Sequence, residues 1–491
     1  MSHEVATATT APDVEAFRLL QSGRAAEALP LARRAVANSR SCSPAHGLLA
    51  SVLLRLGDRE EATSVVAAAL ASPPGTADAY DALAFVSLHL GQHERANALY
   101  RRAAEQAPHD ARFWYNLASS ERSLGRLIEA ESACDRAIAL DPRHYQTYLL
   151  RAELRIQTSS RNHVEAMERL LADPAATDRA RMFLGYALAK ELDDLECYDA
   201  AFHWYSQGAA ARRRHLVYDV RHDEMKLARI GQVFSTADPL VPSCPVDSAR
   251  FIFIVGLPRT GTTLVEQMLI RLPGVVSNGE TENFARALLD ETPAAGSDLF
   301  ARAAAAPFDR VGLRYASLAD RPDCAKVIEK LPLNYLYLGA IRRALPAAIP
   351  VLLARDPIDS CFAMFRTLFG QAYPFSYEFA ELARYYSAYS RLLDHWRQLL
   401  GSWTVDVHYE NLVRHPAEMG RDIATACGVP WDSSAVEIHT GTGVSMTASA
   451  SQIRRPIYQS SAGKWRRYRR HLTPLVEALR SHGVAVPNAD D

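Results

Sequence analysis

The chain has 491 residues, 48% of them hydrophobic, which is long enough for two or more domains and excludes a small disulfide-stapled scaffold. Its 55 lysines and arginines balance 56 aspartates and glutamates, so the overall charge excludes a nucleic-acid coat or a polybasic membrane anchor, and any basic site must be local. Seven scattered cysteines, Cys42, Cys134, Cys197, Cys244, Cys324, Cys361 and Cys427, show no close pair of zinc or redox spacing and read as reduced, mostly core residues.

Residues 1–10 contain Glu4 and no basic stretch ahead of an apolar core, so no secretory signal is expected and a cytoplasmic location follows. No apolar run approaches a bilayer span, and membrane insertion is not expected. Internal repeats come next along the chain. Gly23, Gly57, Gly91 and Gly125 recur every ~34 residues, a period of helix-pair repeats. Ala28, Ala62, Ala96 and Ala130 keep the same step, as do Ala35, Ala69, Ala103 and Ala137, placing two small residues on the second helix of each unit. Pro74, Pro108 and Pro142 fall at one phase and mark the turns between units, since proline cannot continue the helix before it.

With Leu56-Gly57, Leu90-Gly91 and Leu124-Gly125 between helices and Tyr80, Phe113 and Trp114 on first helices, this pattern resembles the tetratricopeptide repeat family. The resemblance implies three complete units over about residues 44–142 and a degenerate one before them, each stable only when stacked on its neighbours. After Pro142 the strict period fails, while helical patterning over 145–155 and 179–214 predicts further helix pairs. The proline-rich residues 238–245 break helix and sheet alike, which sets a domain boundary near 240. The expected architecture is an all-α tetratricopeptide-type solenoid over 11–240, irregular after 142, followed by a second domain over 241–491.

That second domain begins with Phe251-Ile252-Phe253-Ile254-Val255-Gly256, a run of the buried parallel-strand type. Leu257-Pro258-Arg259-Thr260-Gly261-Thr262-Thr263 follows and leads into helical periodicity at Leu264, Met268 and Leu269. Strand, loop and helix N-terminus in this order build an anion site from backbone N–H groups, the helix dipole and the threonine hydroxyls. A nucleoside triphosphate loop needs a Gly-Lys-Ser/Thr ending, and here an arginine stands earlier with no such lysine. Val327 and Ile328 place Lys330 at a strand end, where open α/β sheets put their ligands. Val351-Leu352-Leu353-Ala354 is a further strand run that ends at Arg355, and an α/β P-loop-like domain with a parallel sheet is expected.

In chain order, Pro258-Arg259-Thr260-Gly261-Thr262-Thr263, Glu329-Lys330-Leu331-Pro332-Leu333-Asn334, Arg355-Asp356-Pro357-Ile358-Asp359-Ser360, Val407-His408-Tyr409-Glu410-Asn411 and Gly463-Lys464-Trp465 resemble the motifs of the sulfotransferase family. The similarity covers about residues 250–480 and extends to its tyrosylprotein and repeat-linked branches. It implies 3'-phosphoadenosine-5'-phosphosulfate (PAPS) as co-substrate and no metal. Arg259, Thr260, Gly261, Thr262 and Thr263 would cradle the 5'-phosphosulfate, Arg355 would hold the 3'-phosphate, and Tyr409, Ser449 and Lys464 would complete the cofactor contacts. Family members commonly place a serine eight residues after the arginine. Ala363 stands there instead, and Ser360, one turn earlier, either substitutes or caps the helix.

Lys330 would donate to the sulfuryl or bridging oxygen as charge builds on it. For the base, the resemblance favours Glu280 over Glu282; tyrosylprotein members carry two glutamates directly after the glycine, and Thr281 takes the second place here. The implied reaction is sulfuryl transfer to an acceptor hydroxyl, with a peptide or protein bound by the repeats preferred over a carbohydrate or small metabolite. Self-association into a homo-oligomer is the alternative role of the array, and no nucleic-acid partner is expected. A kinase-like phosphotransferase and a repeat scaffold with an inactive nucleotide domain compete with this reading. Intact Arg259, Lys330 and Arg355 argue against inactivity.

Overall fold

A computed structural model describes residues 12–39, 42–235, 246–319, 321–438, 456–457 and 461–487. The chain forms two compact units that part between Arg155 and Ile156.

The first unit is helical throughout: α1 (Pro12–Gln21), α2 (Ala25–Ala37), α3 (Pro44–Leu56), α4 (Arg59–Leu70), α5 (Ala77–His89), α6 (His93–Gln106), α7 (Ala111–Leu124), α8 (Leu127–Leu140) and α9 (Tyr145–Glu153). The periodic glycines explain its pairing. Gly23, Gly57, Gly91 and Gly125 have φ of 78°, 86°, 82° and 80°, a left-handed conformation that ends a helix at little cost only for glycine. At each of them the glycine N–H and the next N–H donate back to carbonyls of the preceding turn, as Gly57 does to Leu54 and Asp58 to Leu53. The first unit, expected to be degenerate, thus folds as a full pair, α1 with α2. All eight periodic alanines are buried, so the helices close up on small side chains.

Close approach also governs the contact between neighbouring repeats. A Cβ built on Gly47 of α3 would lie 2.4 Å from the Ala82 Cβ and 2.9 Å from its carbonyl carbon on α5. Gly47→Ala is therefore expected to cost about 1–3 kcal/mol of repeat stability, as overpacking does, and urea unfolding followed by circular dichroism checks it.

In the second unit, α10 (Val164–Leu171), α11 (Asp178–Asp194), α12 (Tyr198–Arg213) and α13 (Val220–Val233) precede a parallel sheet. Its strands β1 (Phe251–Gly256), β2 (Val275–Ser277), β3 (Lys326–Lys330), β4 (Ile349–Ala354) and β5 (Val405–His408) lie in the order β2-β3-β1-β4-β5. β1 is buried along its whole length, as a central parallel strand must be. Alternate residues feed two faces. Ile252 and Ile254 join Ile328, Val351 and Leu353 over Val265, Met268 and Leu269, whereas Phe251 and Phe253 pack with Phe284 and Tyr315 on the other face.

The sequence pattern set a boundary near residue 240, but the structure divides the chain at 155/156. The reason is what α11, α12 and α13 bury. The Tyr186 hydroxyl donates to the Phe365 carbonyl at 3.0 Å, Arg213 grips Glu381 at 2.7 and 2.8 Å, and Arg384 meets Glu224 at 2.9 and 2.5 Å. These helices belong to the body of the sheet-bearing unit. The proline-rich residues 238–245 lie outside the described residues.

Candidate active site

β1 is the point where strand order reverses, with β2 and β3 on one side and β4 and β5 on the other. Ligands of open parallel sheets bind beyond the carboxyl ends of strands at such a point. Each of the five strands delivers a candidate side chain there: the 259–263 loop after β1, Glu280 after β2, Lys330 at the end of β3, Arg355 after β4 and Tyr409 after β5.

The loop after β1 is held in a strained shape. Arg259 has φ 67° and Gly261 φ 100°, and the buried Thr260 hydroxyl closes the turn by donating to the Leu257 carbonyl at 2.7 Å. Helix α14 (Thr262–Leu269) starts here with Gly261 at its N-cap and no side-chain cap, and Thr262 and Thr263 are buried in its first turn. A Cβ on Gly261 would lie 2.6 Å from the Tyr409 ring, so only glycine lets the loop sit against that ring. An uncapped helix start flanked by hydroxyls is suited to an anion.

Arg355, with 6% of its side chain exposed, braces this loop from β4. Its Nη1 donates to the Arg259 carbonyl at 2.8 Å and Nη2 to the Ser461 carbonyl at 2.5 Å, while the guanidinium lies 4.6 Å from the Tyr409 ring centre. The buried Nε has no partner among the described residues, a donor that an incoming anion would satisfy. Asp356 caps the following helix by accepting from the Asp359 N–H at 2.8 Å. Ser360 is buried and its hydroxyl donates to the Arg355 carbonyl at 3.4 Å. That bond ties Ser360 to the backbone of the arginine it was expected to assist.

Lys330 is almost wholly buried at 1% exposure and stands between two carboxylates. Its ammonium pairs with Glu280 and lies 3.6 Å from Glu266, a residue of α14. Glu266 also accepts from the Ser277 hydroxyl at 2.6 Å, and burial raises its carboxyl above the usual range despite Lys330 beside it. Glu282 is exposed at the start of helix Asn283–Glu291, so the structure brings Glu280 to the lysine and leaves Glu282 apart. Glu329 turns to the other face, accepting from the Phe284 N–H at 3.3 Å, and burial pushes its carboxyl up to about 7.

Lys464 does not reach into this group. Its ammonium pairs with Asp193 on α11, and burial, with Arg366 nearby, pushes it down to about 8. Ser449 lies outside the described residues.

Residues 251–433 match the sulfotransferase family, and residues 19–84 and 87–145 match tetratricopeptide repeats. The chain joins tetratricopeptide repeats to a sulfotransferase-family domain. An uncharacterized protein of Aquifex aeolicus (strain VF5) is 27% identical over 374 residues, which are 73% of this chain and 49% of the relative. This chain thus spans about half the length of the curated relative it matches. Among solved structures, the sulfotransferase domain of the Synechococcus PCC 7002 olefin synthase is 21% identical with a TM-score of 0.35, covering 48% of this chain and 95% of its own. A sulfotransferase from Alicyclobacillus acidocaldarius is 17% identical with a TM-score of 0.27, covering 47% and 94%. Pseudomonas aeruginosa pilF is 21% identical with a TM-score of 0.32, covering 40% and 88%.

Sequence reasoning missed three acidic residues of the sulfotransferase domain's unit. Glu266 carries a usable signal, an ionisable group among the buried apolar positions Val265, Met268 and Leu269 of one helix. Asp359 stands in a motif that was read, yet its carboxylate accepts from the Gly463 and Trp465 N–H groups, over a hundred residues away. Asp193 carries no local signal at all, because its partners Arg366, Lys464 and Tyr468 come from distant segments.

Proposed function

We propose that the sulfotransferase domain transfers a sulfuryl group from PAPS to an acceptor hydroxyl. The observation that carries this reading is the meeting, at the carboxyl ends of the strands, of an uncapped helix start, the Lys330–Glu280 pair and an Arg355 whose buried Nε has no partner among the described residues. The 259–263 loop would take the 5'-phosphosulfate and Arg355 the 3'-phosphate. Glu280, half exposed at 45%, would accept the proton of the acceptor hydroxyl as its oxygen bonds to sulfur. The bond from sulfur to the phosphate oxygen then breaks, and Lys330 would donate to that leaving oxygen as it gains charge. Adenosine 3',5'-bisphosphate and a sulfate ester are the products.

A peptide or protein acceptor presented by the repeats is the preferred substrate class, supported by the concave surface that stacked helix pairs normally offer. Calorimetry with PAPS in the absence of magnesium tests the cofactor reading, and magnesium-dependent binding of ATP in its place would overturn it. Arg259→Ala and Arg355→Ala are each expected to weaken PAPS binding by roughly 1.5–3 kcal/mol, one to two powers of ten, as loss of a charge-assisted hydrogen bond does. Unchanged affinity in both folded variants would remove the assignment.

A further inference from the structure

The sulfotransferase-family match spans 251–433, so both Asp193 on α11 and the segment 461–468 lie outside it. They are nevertheless bound to each other. Asp193 is 8% exposed in the last turn of α11. One of its carboxylate oxygens accepts from the Tyr468 hydroxyl at 2.5 Å, and the other meets the Lys464 ammonium and Arg366 Nη1, the latter at 3.3 Å. Burial alone would raise this carboxyl, yet Arg366 and Lys464 hold it below its ordinary range. Tyr468 is itself fully buried, edge-on to Tyr198 and tilted against Phe362.

The same segment is gripped from the opposite side by the anion site. The Gly463 and Trp465 N–H groups donate to Asp359 at 2.5 and 3.1 Å, the Ser461 carbonyl accepts from Arg355 at 2.5 Å, and the Ser461 hydroxyl bonds the Tyr409 hydroxyl. Residues 461–468 thus form a strap with Asp193 at one end and Arg355 at the other. Freeing the Lys464 ammonium toward a ligand would break a buried ion pair, which is costly when one partner stays behind.

We propose that Asp193 is a positioning residue for the cofactor site: by pinning Lys464 and Tyr468 it holds the 461–468 strap against Arg355 and Tyr409, and Lys464 acts as the pin of the strap and not as a ligand of the cofactor. The helical segment 156–235 then belongs to the catalytic apparatus. This inference rests on the PAPS reading for its effect on affinity, but not for its effect on the strap.

The test is a double-mutant cycle on the full chain with Asp193→Asn, Lys464→Met and both together. It is read by calorimetry with adenosine 3',5'-bisphosphate and by hydrogen exchange of 461–468 without ligand. Each single change is expected to weaken binding about tenfold and to speed exchange in the strap, and the double variant is expected to be no worse than either, as residues acting through one contact behave. The Michaelis constant for PAPS should rise while kcat at saturation stays within about twofold, because the reacting groups are untouched. If Lys464→Met weakens binding by the same factor in the Asp193→Asn background as in the native chain, Lys464 touches the cofactor directly and the proposal falls. Unchanged exchange in the strap overturns it as well. Should Asp193→Asn not fold, Tyr468→Phe removes a single hydrogen bond to the same carboxylate and gives the same exchange readout. If the native protein binds no bisphosphate while Asp193→Asn still speeds strap exchange, the PAPS reading fails and the anchoring role stands.

Discussion

A chain begun at residue 238 is expected to lose the fold of the sulfotransferase domain, whereas one begun at residue 156 is expected to keep it. Cutting at 238 removes α11, α12 and α13 together with Tyr186, Asp193, Tyr205 and Arg213, all in contact with the sheet-bearing unit. Glu381 would lose Arg213, Arg384 would lose Glu224, and Arg366 and Lys464 would lose Asp193. Asp193 is the buried partner among these, and stripping one partner from a buried pair costs about 3–5 kcal/mol. The part-exposed Arg384–Glu224 and Arg213–Glu381 pairs add less, and a domain has only about 5–15 kcal/mol in hand. Gly339 and its neighbours would also lose Phe234, whose ring lies where a Cβ on Gly339 would be 2.7 Å from it. Circular dichroism melting of the two truncated proteins checks this. A cooperative transition in the 238 chain at the temperature of the 156 chain would make the helical segment a passive linker.

The second large effect is expected at Glu280. Glu280→Gln should lower turnover by about 10²-fold or more, the usual cost of losing a general base, with affinity for adenosine 3',5'-bisphosphate nearly intact. Glu282→Gln serves as the comparison, because Glu282 stands exposed at a helix start apart from Lys330. Loss of turnover in Glu282→Gln alone would move the base there. Lys330 is a poorer probe of the chemistry. Lys330→Met would leave buried Glu266 without its cation, so a drop in activity would be mixed with a drop in stability.

Much of this architecture could be read from short stretches of chain. The repeat glycines declare themselves because the left-handed turn each one makes is a property of that residue and its immediate neighbours. The strand runs at 251–256 and 351–354, and the loop with Arg259 and Gly261 between strand and helix, are local in the same sense; both runs form strands, the second starting two residues earlier, at Ile349. Lys330 and Arg355 were placed at strand ends from the apolar residues before them, and the parallel sheet puts both there.

Other features depend on segments far apart in the chain. The resemblance already favours Glu280 over Glu282, but that Glu280 meets Lys330 depends on how β2 and β3 pair. Glu266 becomes part of the site only because α14 lays it beside a lysine sixty-four residues further on. Lys464 could be matched to a cofactor position by its motif, yet its actual partner, Asp193, lies 271 residues away on a helix that the repeat pattern had assigned elsewhere. The sequence by itself determined the helix pairs, the strand runs and the anion loop, because backbone conformation and side-chain periodicity are set within a few residues. The tertiary structure alone decided which buried charges meet and where the chain divides, because a paired charge is defined by two segments and the cost of burying it falls only once both are in place.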